Sequence, residues 1–379
     1  MRFAIMETVV TPGGHEIDFD RILVDELTAL GHHVEFYVPE GHHFKWNYGV
    51  PVHHLPSEGV SYRGAHGVKK LILAAKREWH RHRWYQGMYG AARRGEFDAM
   101  IVPSATYRYL RGVRHSVLRR SPVPVIFLIH GVTPKEAKKL SAEAERLADE
   151  PNMRIGVQTF AAEKLHLSAP KLRIYGPPNY LPRDLAPAEC VRPAGAPLTL
   201  GFFGQFRREK NLEGFLQAFT TCQFHVPVKL IVQGSTQTPE DAKEFERIIA
   251  LYHGTPHIEF WHRPIIGVDW QKGLMGVDTL VMPYGNDRYL YHTSALISNA
   301  MGYQKTIIAA DNVNPEVLAH YDIGVSFHHG DFANLAVVME EFVNTYAEKK
   351  AHYESELKRA YRDFAPARLA ENIVALAKE

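Results

Sequence analysis

A basic cluster follows a glycine-ended apolar run in the second half of the chain, in the stretch GFFGQFRREKN. Arg207, Arg208 and Lys210 come soon after Gly204, and the next helix is expected to begin near Asn211. Positive side chains are unfavourable at a helix start, because the helix dipole is itself positive there. They are favourable where an anionic group such as a diphosphate binds between them. The cluster therefore predicts an anion site, and an exposed basic turn is the alternative.

A second candidate anion site lies in the stretch PYGNDRYLYHTSALISNAMGYQK, residues 283–305. Thr293 and Ser294 precede a helical segment that includes Ala295. A hydroxyl cap together with the unpaired amides of a helix start can hold a phosphate without any glycine-rich sequence. Simple capping of the helix is the alternative interpretation.

Two glycine-containing turns also follow strand-like runs. Gly13 and Gly14, in TPGGHE, let the backbone approach a ligand closely at the start of a helix, where an anion is favoured. Gly234 and Ser235 end the run KLIVQGS and could approach a nucleotide base or ribose. A tight turn that only closes a strand–helix unit is the alternative at both places.

Four titratable side chains are candidates for proton transfer or substrate positioning. His15, Glu16 and Asp18 follow the first glycine turn, and His130 ends the apolar run PVPVIFLIH. Side chains of these types serve as general acids and bases when they lie within hydrogen-bond reach of a reacting group. The chain has 22 histidines, so a structural role is the alternative for each histidine.

The elements that must position these residues are short apolar runs that alternate with helical stretches. Alternation of this kind predicts parallel sheets covered by helices. A Pro- and Ala-rich linker over residues 181–197 separates two such series. The fold class is therefore α/β, with two Rossmann-like domains facing each other across a cleft. Ligands in such folds bind beyond the carboxyl ends of the strands, where all the candidate residues lie.

Length and composition agree with this division. The 379 residues, 45% hydrophobic and 23% charged, are typical of two folded domains. Cys190 and Cys222 are the only cysteines, which favours a reducing compartment. The first residues run into a strand pattern without a leader, and no apolar run reaches about 18 residues. We therefore expect a cytoplasmic protein.

The net charge and the spacing of cysteines and histidines argue against nucleic acid and metal ions as ligands. The net charge of +2 gives no reason to expect nucleic acid. No cysteine–histidine cluster has metal-ligand spacing, so no metal site is expected. The stretch 67–97, however, combines eight lysines and arginines with Trp79, Trp84, Tyr85 and Tyr89. A basic helix with such aromatics favours an anionic membrane surface or an anionic glycan, and a solvated helix face is the alternative.

Six motifs, in order, resemble those of the GT-B glycosyltransferases, especially the bacterial retaining branch of polysaccharide and lipid-linked glycan assembly. The resemblance covers residue 1 to about 375. It implies an N-terminal acceptor-binding domain over 1–183, a C-terminal donor-binding domain over 184–362, and a final helix, about 363–379, that packs back on the first domain. The motifs are the TPGGHE loop, DELTALGHHV, IHG at His130, GPPN at Asn179, GFFGQFRREKN, and NAMGYQKTIIAAD.

The resemblance assigns roles to residues of the second domain. Lys210 matches the lysine that contacts the donor diphosphate in such enzymes. Gln205 stands where an arginine is usual, so Arg207 or Arg208 would supply the second cation. Tyr291 and Asn299 replace the family's two glutamates. Thr293, Ser294 and Ala295 resemble a variant in which a hydroxyl and the amides hold the diphosphate.

The predicted function is transfer of a sugar from a nucleoside-diphosphate-sugar to a glycan or lipid-linked acceptor of bacterial surface-glycan assembly. No cofactor or metal is required, because cations and a helix start would stabilise the leaving diphosphate. His130 would position the sugar. Retention is favoured over inversion; an inverting enzyme needs a base, for which His15, Glu16, Asp18 and Asp20 are the candidates. The alternatives are a non-catalytic nucleotide-sugar or glycan-binding module and a nucleotide-sugar 2-epimerase.

Overall fold

The computed structural model describes residues 1–9, 15–42, 48–61, 67–185 and 195–379, with His15 described in its backbone alone. The described chain divides into two compact units. The first unit comprises Met1–Pro177 and Pro366–Glu379, and the second comprises Pro178–Ala365. Each unit is built around one parallel sheet.

The strands of the first sheet follow one another through the first unit. Apart from the two strands at the sheet edges, their residues are almost all buried, which is why they occur in the sequence as continuous apolar runs rather than alternating ones. In chain order the strands are β1 (Arg2–Met6), β2 (His33–Glu40), β3 (Val52–Glu58), β4 (Ala99–Val102), β5 (Val125–His130), β6 (Met153–Gln158) and β7 (Leu172–Tyr175).

The second sheet has six strands in the second unit. They lie where the sequence pattern predicts them, and every recorded pairing in both sheets is parallel. In chain order the strands are β8 (Leu198–Phe202), β9 (Val228–Gly234), β10 (Ile258–His262), β11 (Thr279–Met282), β12 (Thr306–Ala310) and β13 (Gly324–Phe327).

Helices follow most strands in both units, although no helix is described between β2 and β3. The helices are α1 (His15–Ala29), α2 (Gly67–Arg93), α3 (Tyr107–Arg114), α4 (Pro134–Arg146), α5 (Ala162–Leu165), α6 (Leu212–Thr221), α7 (Pro239–Tyr252), α8 (Val268–Met275), α9 (Ala295–Gly302), α10 (Pro315–His320), α11 (Phe332–Asp363) and α12 (Pro366–Lys378).

Local side-chain chemistry fixes where several helices begin. Thr133 accepts a hydrogen bond from the N–H of Glu136, whose carboxylate accepts in turn from the Thr133 N–H, forming a capping box before α4. The Thr238 side chain caps α7 by accepting from a helix N–H, and Pro239 follows at the first helical position. These caps satisfy amides that the helix itself leaves unpaired.

In each sheet, successive strands are added first on one side of the starting strand and then on its other side. The first sheet runs β3-β2-β1-β4-β5-β6-β7, and the second runs β10-β9-β8-β11-β12-β13. The chain moves outward in one direction from β1 and from β8, then returns to the other side at β4 and at β11. A crevice opens between the loops at such a reversal, which is the usual ligand site of a doubly wound sheet. Ligands are therefore expected at the loops after β1 and β4, and at those after β8 and β11.

The α/β fold class with two Rossmann-like units is confirmed. The sequence pattern did not reveal β3, whose segment VHHLPSE is polar and contains a proline. The strand lies at the sheet edge, where a proline is tolerated and little side-chain burial is needed. The final helix α12 contacts α1 and β5.

Candidate functional site

Lys210 is a buried cation at the carboxyl end of β8. Its side chain is only 7% exposed, and among the described residues no carboxylate lies within ion-pair distance of its ammonium group. The only hydrogen bond recorded for it in this part of the chain is a long one, 3.5 Å, from Nζ to the Phe203 carbonyl oxygen. Burial, with a smaller contribution from Arg207, lowers the pKa of Lys210 to about 8. Such a group is stabilised when an anion binds it.

Gly204 makes room for this ammonium group. Its φ of +114° lies in a region that favours glycine, and a Cβ there would be 3.1 Å from the Lys210 Nζ. The Gly204 N–H donates to the Gln233 side chain at 2.9 Å, which fixes the turn. The backbone conformation therefore favours the predicted glycine, and the missing side chain leaves space for the ammonium group.

The two arginines of the basic cluster differ in environment. Arg207 is half-buried, donates to the Gln205 side chain at 3.3 Å, and lies 3.7 Å from the Glu209 carboxylate. Arg208 is exposed. Since Arg207 also contributes to the lowered pKa of Lys210, it is close enough to act on the same anion. The geometry therefore favours Arg207 over Arg208 as the second cation.

The start of α9 provides hydrogen-bond donors on the other side of the strand reversal. Ser294 occupies the N-cap position, and its backbone N–H donates to Asn314 at 2.8 Å. No described residue accepts a hydrogen bond from the N–H groups of Ala295 and Leu296. Two unpaired amides at a helix start form an anion-binding point.

The prediction that the Ser294 hydroxyl caps the helix is wrong. Its hydroxyl is buried and donates to the Met282 sulfur at 3.7 Å rather than accepting from the helix. The Thr293 Oγ1, by contrast, is buried and has no hydrogen-bond partner among the described residues. Thr293 is therefore the hydroxyl of this segment that is left for a ligand.

Tyr284 connects the two parts of the candidate site. Its ring centroid is 5.2 Å from the Lys210 Nζ, and its hydroxyl interacts with the Ser294 side chain. The basic turn after β8 and the helix start after β11 thus meet at one aromatic residue, at the strand reversal. We call the set formed by Lys210, Arg207, Tyr284, Thr293 and Ala295 the anion site.

Asn299 and Tyr291 lie close to this helix start. The Asn299 amide donates to the Ala295 carbonyl at 2.8 Å and accepts from the Trp270 indole at 3.4 Å, so its polar atoms are already used within the unit. Tyr291 is half-buried and ends a 3₁₀ turn over Asp287–Leu290. Neither residue supplies the charged acceptor that the resembled family places here.

Gly234 and Ser235, at the end of β9, make different contacts. A Cβ on Gly234 would lie 2.6 Å from the Phe245 ring, so packing of α7 on the sheet requires this glycine. Ser235 is half-buried; its N–H donates to the Gly204 carbonyl and its carbonyl accepts from the Phe206 N–H. This contact brings the turn after β9 against the anion site.

His130 ends β5 in the first unit. Its Nε2 lies 2.7 Å from the Pro103 carbonyl oxygen, which can only accept, so Nε2 carries the proton. The Phe19 ring contacts it edge-on at 4.4 Å between centroids. The bond orients the imidazole at the carboxyl edge of the sheet.

The residues of the first glycine turn are described in part. Gly13 and Gly14 lie outside the described residues, as does the His15 side chain. Glu16 and Asp18 are half-buried in the first turn of α1. Burial raises the pKa of Asp18 to about 6, against a smaller opposing effect of Arg21.

Two buried carboxyl groups lie beside this turn, and the sequence pattern does not predict them as a pair. Glu7 directly follows β1, and Asp20 lies on α1; each is 3% exposed. Burial raises the pKa of Glu7 to about 7 and that of Asp20 well above its ordinary value, and the charge of Glu7 raises that of Asp20 further. An isolated acid at the end of an apolar run was the available signal, since burial of a carboxyl group there is exceptional.

A group with metal-ligand chemistry lies at another edge of the second sheet. Asp311 follows β12, and His328 and His329 follow β13; the two imidazole Nδ1 atoms lie 2.8 and 2.7 Å from the carboxylate. These ligand atoms lie within 4.8 Å of one another, although the residues are far apart in sequence. The sequence prediction considered only local spacing and therefore missed the group. The three side chains are half-exposed or exposed and satisfy one another without an ion.

Comparison with known proteins gives matches of structure alone. No family model matches the chain, and no curated protein sequence matches it. A sucrose-phosphate synthase from Thermosynechococcus elongatus has a TM-score of 0.69 at 14% identity, covering 100% of this chain and 98% of that one. Anabaena HepE in complex with UDP and glucose has a TM-score of 0.65 at 14% identity, covering 99% and 98%. The lipopolysaccharide outer core galactosyltransferase WaaB has a TM-score of 0.64 at 11% identity, covering 99% of each chain.

These matches extend over nearly the whole of each chain and include both parallel sheets. At identities of 11–14%, these matches support the fold alone, because one fold carries many activities. The chain therefore has the two-unit α/β fold of the GT-B glycosyltransferases, as the sequence motifs predicted.

Proposed function

We propose that the protein is a glycosyltransferase that moves a sugar from a nucleoside-diphosphate-sugar to a glycan or lipid-linked acceptor in bacterial surface-glycan assembly. The observation that carries this proposal is the ammonium group of Lys210, buried at the strand reversal of the second unit with no carboxylate partner among the described residues. Its neighbours add an arginine, a hydroxyl and helix amides. The structural relatives crystallised with UDP and with UDP-glucose support the choice of anion.

The anion site would stabilise the leaving group. In the proposed reaction the bond between the anomeric carbon and the phosphate oxygen breaks, and its electron pair stays on that oxygen. The Lys210 ammonium, the Arg207 guanidinium and the Ala295 N–H would interact with this developing charge. A divalent metal is not required by this scheme, because fixed positive groups stabilise the same charge.

We propose retention at the anomeric carbon. The acceptor hydroxyl then forms its new bond on the face from which the diphosphate leaves, and its proton passes to the departing phosphate oxygen. No dedicated base is needed, so His15, Glu16 and Asp18 are not required as bases. We assign His130 to positioning the sugar, since its ring is already oriented by the Pro103 carbonyl.

Turnover of the donor tests the proposal. Wild-type protein should bind a nucleoside diphosphate and transfer or hydrolyse sugar from at least one donor in a panel of UDP-, GDP-, ADP- and CDP-sugars. Tyr291 and Asn299 stand in place of charged acceptors, which favours a binding module as the second candidate. Binding without turnover across the panel would establish the binding module instead, and absence of binding would contradict both.

The Thr293 hydroxyl provides the first specific prediction. We expect Thr293→Val, which keeps the side-chain shape, to weaken UDP binding by at least about tenfold, because a hydrogen bond to a charged group contributes about 1.5–3 kcal/mol. Thr220→Val, at an exposed threonine of α6, is the matched control and should leave UDP affinity unchanged. Isothermal titration calorimetry measures both. Equal affinity in the wild type and Thr293→Val would remove Thr293 from the anion site.

We further propose that the protein works in the cytoplasm, against an anionic membrane surface that α2 contacts. The first half of α2 exposes an apolar stripe: Val68 is 72%, Leu71 71%, Ile72 63% and Trp79 58% exposed. The spacing of these residues places them on one helix face. Exposed Lys69 and Lys76 border one side of the stripe, and exposed Lys70 lies on the opposite side of the helix. An apolar face bordered by lysines fits the boundary between anionic headgroups and acyl chains.

Only part of the predicted surface, residues 67–97, is exposed. Trp84, Tyr85 and Arg81 are buried, so their assignment to an interface was wrong. Arg81 instead pairs with Glu78 at 2.5 Å and lies over the Tyr109 ring. The proposed membrane-facing part is thus residues 67–79. Within the described residues, no helix combines the length and apolarity needed to cross a bilayer.

Vesicle binding tests this surface. We expect wild-type protein to bind vesicles of phosphatidylcholine with about 30% phosphatidylglycerol, and Leu71→Glu/Ile72→Glu to bind at least about tenfold more weakly, because charge at the apolar face opposes insertion. Val337→Glu, at a similarly exposed valine of α11, is the control and should bind as the wild type does. Unchanged binding of the double variant in co-sedimentation would contradict the assignment.

A further inference from the structure

We propose that Glu7 and Asp20 form a binding site for hydroxyl groups of a sugar acceptor. The proposal rests on the proposed function, in which a second substrate must be held while the donor occupies the anion site. Both residues belong to the first unit, whereas the residues of the anion site belong to the second.

The pair lies at the ligand-binding edge of the first sheet. Glu7 is the first residue after β1, and β1 is the strand at which the sheet order reverses toward β4. Asp20 lies on α1, the helix that follows the loop after β1. Loops at such a reversal form the ordinary ligand crevice of a Rossmann-like unit. The carboxyl groups are therefore buried where a ligand is expected.

Hydrogen bonding leaves part of each carboxyl group unused. The Val9 N–H donates to Glu7 Oε1 at 2.5 Å, whereas Glu7 Oε2 has no partner among the described residues. Asp20 Oδ1 is likewise buried without a partner in this part of the chain. A buried polar atom left unpaired is destabilising, so two such oxygens are costly unless a ligand supplies donors.

Among the described residues, no lysine or arginine forms an ion pair with Glu7 or Asp20. The charge of Glu16, on α1, raises the pKa of both carboxyl groups. Asp18 and Arg21, also on α1, face the Tyr48 hydroxyl together with the pair. Glu7 Oε2 and Asp20 Oδ1 are therefore acceptors to which no donor of the described residues bonds.

The arrangement fits hydroxyl groups better than a metal ion. Within the described part of the chain, Asp311, His328 and His329 are the group whose three ligand atoms come within 4.8 Å of one another, and Glu7 and Asp20 belong to no such group. Two unpaired carboxyl oxygens instead match two O–H donors. Sugars present such donors on neighbouring carbons, and a carboxylate accepts from them by short, charge-assisted bonds.

Binding of simple sugars to the full-length protein tests the inference. The probes are the methyl α-glycosides of glucose, galactose and N-acetylglucosamine, measured by saturation-transfer NMR and titration. We expect the wild type to bind at least one probe, and both Glu7→Gln and Asp20→Asn to bind it at least about tenfold more weakly. Glu163→Gln, at an exposed glutamate of the same unit, is the matched control and should bind as the wild type does.

Two further measurements distinguish this site from nonspecific sugar binding and from the donor site. Sugar affinity of the wild type should rise between about pH 6 and pH 8, because the ionised carboxylate accepts hydroxyl donors more strongly, and Glu7→Gln should lack this rise. Lys210→Met should keep its sugar affinity even though it loses donor binding, so failure of the proposed function and failure of this inference are distinguishable.

The inference is overturned if no probe binds the wild type, or if both amide variants bind as well as the wild type does. It is equally overturned if Ca²⁺ binds at these residues and displaces the sugar. Thermal unfolding of each variant accompanies the titrations, and the two independent variants protect the test against one of them failing to fold.

Discussion

Replacing Lys210 by methionine is expected to reduce sugar transfer by about 10²–10³-fold, the range observed when one donor to a developing negative charge is removed. The reason is that its ammonium group is the buried cation of the anion site and has no carboxylate partner among the described residues. Methionine has a similar length and no charge. Steady-state kinetics with the donor identified in the panel measures the effect.

The same substitution is expected to raise the stability of the unliganded protein near neutral pH. A buried ammonium group without an ion-pair partner is unfavourable, and methionine removes that cost. Because the pKa of Lys210 is lowered to about 8 from 10.5, the unfolded chain holds more protons between these values. Wild-type stability should therefore rise with pH from about 8 to about 10.5, relative to Lys210→Met.

These two effects have opposite signs, which distinguishes a functional lysine from a structural one. Lys243→Ala, at an exposed lysine on α7, is the control and should change neither transfer nor stability. A Lys210→Met protein that is both inactive and markedly less stable would indicate that Lys210 supports the fold rather than the reaction.

The second large effect concerns the pH dependence of stability in the first unit. We expect the unliganded wild type to lose stability as the pH rises from about 5 to about 7, relative to Glu7→Gln. Burial raises the pKa of Glu7 from 4.5 to about 7, so the folded protein holds a proton in this range that the unfolded chain releases. Rising pH then favours unfolding.

The expected difference is about 2 kcal/mol across this range, since stability changes by at most about 1.4 kcal/mol for each pH unit. Urea unfolding at pH 5, 6 and 7 measures it. Glu163→Gln should follow the wild type at every pH. Parallel stability curves for the wild type and Glu7→Gln would show that Glu7 ionises normally and would remove the electrostatic basis for a ligand site there.

The architecture could be predicted from the sequence because parallel sheets leave a strong pattern. Strands such as β5 and β11 are buried on both faces and therefore occur as short, uninterrupted apolar runs between helices. The edge strand β3 does not show this pattern, because a partly exposed strand with histidines and a proline has no such run. Its existence depends on pairing with β2, which is a tertiary contact.

The candidate site was predictable only in part, for a related reason. The position of Lys210 after a glycine-ended strand could be recognised from the sequence, but its burial and its missing counter-ion among the described residues are properties of the folded unit. The choice between the hydroxyls of Thr293 and Ser294 depends on the Met282 sulfur, which lies on β11. Glu7 follows an apolar run in the sequence, whereas its proximity to Asp20, whose pKa its charge raises, is a property of the folded unit.

A structure of the protein with bound UDP is the most direct test of the proposed donor site. We expect the diphosphate to lie within about 3 Å of the Lys210 Nζ and of the Ala295 N–H, with the Thr293 hydroxyl as a further donor. A diphosphate bound elsewhere, with Lys210 and the start of α9 making no contact to it, would show that the anion site is not the donor site.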